Sequence, residues 1–527
     1  MQARRPHLAF LTAWMACAAT GCVAPEFDVP IEFVVPEGHD SFEGLDYLAL
    51  NADYGAGRFY DFWLEAPASG STWSIPSIPV GDTVVLSFDG LVSDGLGGSG
   101  QIVAASGAAG PLPIGPEHDG VSVLFSRRGR VGRLVGALDE GRIDPMSAVL
   151  PDGRVLVAGG SRGTDDDGDP EAIDSAAIMG VNGAAGSWTF EPVDPMRGRR
   201  VNGVALAISD SGTDYDGKVL VFGTLPLLAR RGTGVTVDST ETELAEAQDI
   251  ARPELFDPTD GSWSDPEIDA AWEQESARAY FTATQVEGRI LVVGGVVYLQ
   301  DGGGLALQVA SETFEIDLDS GDVTELGAMN DIRWSHTTTL LPDGRLLAVG
   351  GANVPTTQQT YPELTSVEAF DLATNTWSSL GSLEPGRADH IAASLPDGRV
   401  LIAGGLTGID TVTLGDSWLF NPSTDSFADA GEMVTPRARA TASVLADGRV
   451  LVCGGEDEDR AAVSGCELWT RGASGAVGVW SAMPDPAGSW TPRAGAAVAL
   501  LPGGEAAVFG GLDAGGEYTT DVLIVRP

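Results

Sequence analysis

Two patterns of apolar and polar positions divide the chain. From about residue 146 onward, short apolar runs without polar alternation stand between turn-forming clusters. Val155-Leu156-Val157-Ala158, set between Pro151-Asp152-Gly153 and Gly159-Gly160, is one of them. A run of this length bounded by turn formers predicts a strand buried on both faces. Before residue 127 the pattern is looser. PIEFVVP (30–36), DYLALNA (46–52), FYDFWLEA (59–66), DTVVLSF (82–88) and GVSVLF (120–125) are separated by Gly, Ser and Asp turns. Several short strands in such a stretch predict a small β-sandwich-like domain, with the Gly/Ala/Pro-rich segment from Gly95 to Pro116 as a loop within it.

The apolar runs belong to a repeated unit. LPDGRVLVAGG at 150–160 returns as LPDGRLLAVGG (341–351), LPDGRVLIAGG (395–405) and LADGRVLVCGG (445–455), with looser copies at 216–224, 286–295 and 501–511. In Pro-Asp-Gly the proline presets φ and the glycine takes the positive φ that closes a hairpin. The Gly-Gly removes side chains where the strand leaves its sheet and lets other backbone approach. A third strand ends in turn chemistry, as in VEAFDLATNTW (367–377), and a fourth opens at an aromatic: Trp188, Trp263, Trp377, Phe427 or Trp480. Seven four-stranded units spaced this widely suit a propeller, not a solenoid.

The glycine pair after the second strand, the aromatic opening the fourth and the arginine ahead of the first resemble the kelch repeat. The resemblance implies an all-β chain: a seven-bladed kelch-type β-propeller over residues 127–527, preceded by the β-sandwich-like domain at 22–126. Departures are Gly223-Thr224 and Val323, which fall where the second glycine and the aromatic are expected. The last unit supplies three strands before the chain stops, and alignment of 134–154 with 380–399 places 131–138 where other units have a fourth strand. That segment is expected to complete the seventh blade and remove its open edge.

The N-terminus carries Arg4 and Arg5, an apolar stretch from Leu8 to Ala19, then Ala19-Thr20-Gly21-Cys22. This is an export signal, too short for a membrane span. The small residues before the cysteine resemble the lipobox of bacterial lipoproteins. That resemblance implies removal of residues 1–21, lipid on Cys22, and, since Val23 and not aspartate follows, an outer-membrane or cell-surface address in the cell envelope. Cys453 and Cys466 then remain, on consecutive predicted strands, either as a disulfide or as two buried thiols.

Composition excludes one class of partner. The formal net charge is −45, and Lys218 is the only lysine among 30 basic residues. A polyanion such as nucleic acid is repelled by that field. Asp165, Asp167 and Asp169 partly resemble a calcium loop, with a solvated acidic loop as the plain alternative. No other cofactor is expected.

Some kelch-like propellers are copper radical oxidases, which makes an extracellular galactose-oxidase-like or glycan-acting enzyme the alternative reading. His336 and His390, however, occupy one repeat position and are explained by the repeat. The chain is expected to be a monomeric binding protein, not an enzyme, with a protein or carbohydrate ligand.

The long 2–3 connections, at 161–174, 225–252 and 296–310, share one end of the units, and that end is the expected binding face. Arg142, Arg333, Arg387 and Arg437 each precede the DGR arginine by twelve residues, with Arg278 and Arg493 in near-equivalent places. They are expected there either as latches to carbonyls or carboxylates of neighbouring blades or, with Trp334, as ligand contacts.

Overall fold

A computed structural model describes residues 26–34, 45, 47–53, 59–65, 73–79, 81–93, 101–114, 121–124, 126–127, 130–164, 170–181, 188–223, 252–269, 278–301, 304–353, 363–408, 412–472, 477–483, 491–501 and 504–526. The chain divides into two compact units. The first takes residues 1–128 with 181–188, and the second takes 129–180 with 189–527. No helix among the described residues is long and apolar enough to cross a membrane.

Among the described residues the first unit holds two sheets. Glu26–Val34 lies between Trp73–Pro79 and a parallel partner, Val121–Leu124. The other sheet runs Phe59–Glu65, Tyr47–Asp53, Gly81–Ser93, Gln101–Ile114 and Ser126–Arg127. Leu48, Leu50 and Ala52 alternate with half-buried neighbours and are buried with Leu86 and Phe88, so one face of the central strands is apolar. The segment expected as a loop, Gly95 to Pro116, is mostly strand. Its Gln101–Ile114 portion pairs along Gly81–Ser93 through three register shifts, and bulges let a glycine- and alanine-rich strand stay paired.

The second unit contains seven four-stranded antiparallel sheets among the described residues. Their inner strands are Met146–Val149, Val204–Ala207, Thr282–Val286, Thr337–Leu340, Ile391–Ser394, Thr441–Val444 and Ala497–Leu500. Each inner strand contacts the next, and the seventh returns to the first, so the series closes into a ring. The fourth strand of the seventh sheet is Arg130–Ala137, paired with Asp521–Arg526. The N-terminal end of the unit thus covers the edge that its C-terminal end leaves.

The second strands, such as Val155–Ala158, Val400–Ala403 and Val450–Cys453, are buried at every position. Apolar clusters draw on two neighbouring sheets at a time. Ile391, Leu401 and Leu419 of the fifth sheet pack on Val450, Val452 and Trp469 of the sixth. Each such side chain contributes about 1.5–3 kcal/mol on burial, which makes the seams between sheets the core. The fourth-strand aromatics cover them: Trp377 stacks on Phe370 at 5.2 Å and donates to Thr313 Oγ1 of the preceding sheet at 2.9 Å.

Cys453 and Cys466 stand directly opposite on the second and third strands of the sixth sheet and are disulfide-bonded. The expected loop at 296–310 is instead a hairpin, Val296–Asp301 with Gly304–Val309, to which Arg278–Ala279 adds a third strand. Val296, Val297 and Val309, where the hairpin leaves the third sheet, are buried.

Candidate functional site

Each inner strand begins four residues after a buried arginine: Arg142, Arg200, Arg278, Arg333, Arg387, Arg437 and Arg493, all at most 2% exposed. The guanidinium turns back into its own sheet. Nη1 donates to the carbonyl of the first glycine of the pair, Arg333 to Gly350 at 2.7 Å, Arg387 to Gly404 at 3.2 Å, Arg437 to Gly454 at 2.7 Å and Arg493 to Gly510 at 2.7 Å. Nη2 reaches a third-strand side chain: Glu254 from Arg200 at 2.7 Å, Glu368 from Arg333, Asp416 from Arg387 at 2.7 Å and Glu467 from Arg437 at 2.7 Å. Arg142 uses Ser175 at 2.8 Å, and Arg278 lies over the Phe314 ring at 5.3 Å.

The backbone of the same arginine faces the preceding sheet. The second glycine of each pair donates to the arginine carbonyl of the next sheet, Gly351 to Arg387 at 2.8 Å and Gly405 to Arg437 at 3.0 Å. Gly511 to Arg142 at 2.7 Å closes the circle. A Cβ on the first glycine would overlap that carbonyl, as at Gly159 against Arg200 O at 2.6 Å. The arginine and the glycine pair are therefore one device, knitting sheet to sheet.

This corrects one of the two roles expected for Arg142, Arg278, Arg333, Arg387, Arg437 and Arg493. Side chains this buried, with their Nη groups turned to partners within their own sheet, do not present themselves to a ligand. Arg200 completes the set and was missed, because the longer hairpin at 209–217 stretches its distance from the following turn. Its distance to the inner strand is the same as in the others.

The site lies two residues beyond each arginine. Asp144, Asn202, Tyr280, Ser335, Asp389 and Arg439 all have φ between 51° and 58°, and Gly495 has φ 60°. This left-handed turn is uncommon for residues other than glycine. It brings one residue per sheet into a circle in which five of the seven neighbouring pairs share a backbone hydrogen bond. Tyr280 N donates to Asn202 O at 3.3 Å, Ser335 N to Tyr280 O at 3.1 Å, Asp389 N to Ser335 O at 3.1 Å, Arg439 N to Asp389 O at 2.9 Å and Asp144 N to Gly495 O at 2.7 Å. The six side chains are half-buried, at the end of the sheets where the 2–3 connections emerge.

Arg439 bonds Asp144 at 2.7 Å and Glu456 at 3.3 Å; those carboxylates, Asp144 foremost, hold the guanidinium firmly protonated. Asn202 donates to the Tyr280 hydroxyl at 2.9 Å. Trp334 is half-buried, bridges Ala352 through its backbone and packs edge-to-face on Tyr280 at 5.3 Å.

The two histidines lie just outside this ring and are buried. His336 Nε2 is 3.4 Å from Thr282 Oγ1, and His390 Nε2 is 2.9 Å from Thr337 Oγ1, each on the preceding inner strand. Burial, then the charge of Arg387, pushes His390 down to about 3; burial and Arg333 push His336 well below its ordinary value. Both imidazoles are neutral at physiological pH. Cys22, Asp165, Asp167 and Asp169 lie outside the described residues.

The opposite end is built from the DGR turns. Arg345 pairs with Asp343 at 2.7 Å and reaches Asp425 at 2.8 Å on the 3–4 turn of the next sheet; Arg154 likewise reaches Pro258 O at 2.8 Å.

Sheets of four strands closed in a ring, with a buried arginine in every repeat and a glycine pair in all but the second, define an all-β propeller of kelch type. A family model described as Kelch motif matches residues 333–384, from the buried Arg333 to just beyond the last strand of the fourth sheet. The chain is similar to tRNA wybutosine-synthesizing protein 4 of Saccharomyces cerevisiae, 36% identical over 102 residues, 19% of this chain and 14% of that protein. It is also similar to spermatocyte protein spe-26 of Caenorhabditis elegans, 26% identical over 172 residues, 32% of this chain and 28% of that one. Kelch domain-containing protein 9 of Homo sapiens is 29% identical over 140 residues, 26% and 37% of the two chains. The chain thus spans only a minor part of each relative. A solved structure titled "Structure of YjhT" overlaps 74% of this chain and 95% of its own, at TM-score 0.42 and 12% identity.

Proposed function

We propose that this protein is an exported interaction protein, a monomer lipid-anchored through Cys22 at the outer membrane or cell surface, that takes up a protein or glycan ligand at the loop end of its propeller and does not catalyse. The observation that carries the reading is the contrast between the two ends. The turn end is mostly tight hairpins whose arginines pair with the aspartates of their own turns, and in Arg154 and Arg345 also with the next sheet. The loop end gathers six half-buried polar and aromatic side chains in one ring, at the end where the 2–3 connections leave the sheets, and loops on a rigid scaffold are where binding residues concentrate. The kelch motif supports a protein-interaction role.

The full chain, immobilised in detergent, is offered envelope proteins and a glycan array. Wild type captures a ligand, Trp334→Ala loses it while melting as wild type does, and Asp397→Asn in a DGR turn keeps it. Loss confined to Asp397→Asn reverses the faces, and retention in both removes the mouth as the site. Conversion of a captured glycan establishes the enzyme reading instead. Cys22→Ser is expected to release the protein from membranes.

A further inference from the structure

The ring of left-handed residues has two unlike arcs. In one, Arg439 reaches across the position of the seventh sheet to Asp144 and also holds Glu456. The seventh sheet contributes only Gly495, where a Cβ would meet Asp144 Oδ1 at 2.6 Å. This arc is filled and its charges are paired. In the other arc stand Tyr280, Ser335 and Asp389, linked through their backbones, with Trp334 beside them. The Asp389 carboxylate and the Ser335 hydroxyl, both half-buried, make no side-chain hydrogen bond to another described residue; Arg439, already paired with Asp144 and Glu456, attracts Asp389 without bonding it. A carboxylate drawn partly out of water without a donor carries a desolvation cost that a ligand's N–H groups would offset.

We propose that this open arc is a subsite for an organic cation, an ammonium or guanidinium group, held by Asp389 and Ser335 beside the Tyr280 and Trp334 rings. The inference rests on the loop end being the binding face. An anion is disfavoured, because Arg439, the one cation of the ring, is already neutralised and the chain as a whole carries −45. A hard metal ion is poorly served, since one carboxylate and one hydroxyl fall well short of the roughly six to eight oxygens that calcium takes. An alkylammonium or guanidinium needs an acceptor and tolerates aromatic surface on its other sides, which is the chemistry this arc offers. Such a group reaches the mouth on a free amine or on a basic side chain of a partner protein.

Calorimetric titration of the full chain with spermidine and with hexalysine tests the subsite. Wild type is expected to bind at one site per chain, more weakly as salt rises. Asp389→Asn should weaken binding about tenfold, the loss of one charge-assisted hydrogen bond, and Asp397→Asn should change nothing. Tighter binding of spermidine marks a free amine as the source, and tighter binding of hexalysine marks a basic protein segment. If a folded Asp389→Asn binds both probes as wild type does, the attraction is that of the acidic surface at large and the subsite is wrong. It is equally wrong if wild type binds neither probe. Should Asp389→Asn fail to fold, Ser335→Ala stands in, and unchanged affinity there overturns the proposal. A ligand captured by wild type and still captured by Asp389→Asn would leave the interaction reading standing without the subsite.

Discussion

The propeller carries a recurring set of arginines at each end, both paired with carboxylates or carbonyls, and the two sets differ most in their exposure to water. At the turn end, Arg154, Arg345, Arg399 and Arg449 keep 22–34% of their side chains exposed and pair with the aspartate two residues before them. At the loop end, the seven arginines that precede the inner strands are at most 2% exposed. Recurrence in a repeat does not separate the two, because both positions recur; burial does. An exposed pair contributes about 0–1 kcal/mol, whereas removal of one partner from a buried pair costs about 3–5 kcal/mol, since it strands the other charge.

The largest effect is therefore expected at the loop end. Arg333→Ala would leave Glu368, 1% exposed, without its cation, and the Gly350 carbonyl without the guanidinium donor. A loss of about 3–5 kcal/mol in urea unfolding is expected. The double variant Arg333→Leu with Glu368→Leu should recover part of it. If it does not, the cost lies in lost packing and not in an orphaned charge.

Why one ring was legible as a motif and the other's meaning was not follows from what each leaves in the sequence. The DGR turn keeps its residues, since proline, aspartate and glycine are chosen by local backbone geometry, and it marked the second strand of most sheets. The buried arginines left only a spacing, enough to find Arg142, Arg333, Arg387 and Arg437 but silent on whether they face water. Arg200 slipped through because the spacing was counted across an insertion. The left-handed ring left no residue signature at all: Asp144, Asn202, Tyr280, Ser335, Asp389, Arg439 and Gly495 share a backbone angle and no chemistry. Closure by Arg130–Ala137 was visible because an apolar segment stood where a fourth strand was owed. Gln101–Ile114 was misread as loop because its glycines and prolines carry the usual marks of one.

The next effect falls on the glycine side of the same latch. Gly404 sits at φ 65°, with the Arg437 carbonyl in the space a Cβ would take. Gly404→Ala should cost about 1–3 kcal/mol for the strained backbone, plus whatever shift the seam between the fifth and sixth sheets must make. Gly344→Ala at the turn end meets nothing within 4 Å and has φ 85°. It isolates the backbone component, so equal losses at the two glycines would remove the latch as the cause.

Acid should act on the loop end first. His390 is neutral in the folded chain, its value pushed down to about 3, so the unfolded chain binds the extra proton between its ordinary value of about 6.5 and 3. Stability is then fully present above about pH 6.5 and is lost progressively as pH falls toward 3. His390→Gln should lower the melting temperature at neutral pH but flatten its fall between pH 6.5 and 4. Parallel curves for wild type and variant would mean that the imidazole is already protonated in the fold.

The smallest effect is expected for Arg399→Ala at the turn end, and salt is what makes it informative. Arg399 pairs with Asp397 at 2.8 Å, and Asp397 also has Arg471, so removing Arg399 leaves the aspartate a second cation and water. A loss of about 0–1 kcal/mol is expected at low ionic strength. Near 1 M salt, where the screening length is about 3 Å, it should vanish. Buried charges are screened far less, so the loss in Arg333→Ala should persist at the same salt. The two variants measured together at low and high salt decide whether water alone distinguishes the rings. If both losses shrink in proportion, the loop-end arginines are solvated in solution, and the assignment of that ring to structure and of the left-handed ring to binding must be exchanged.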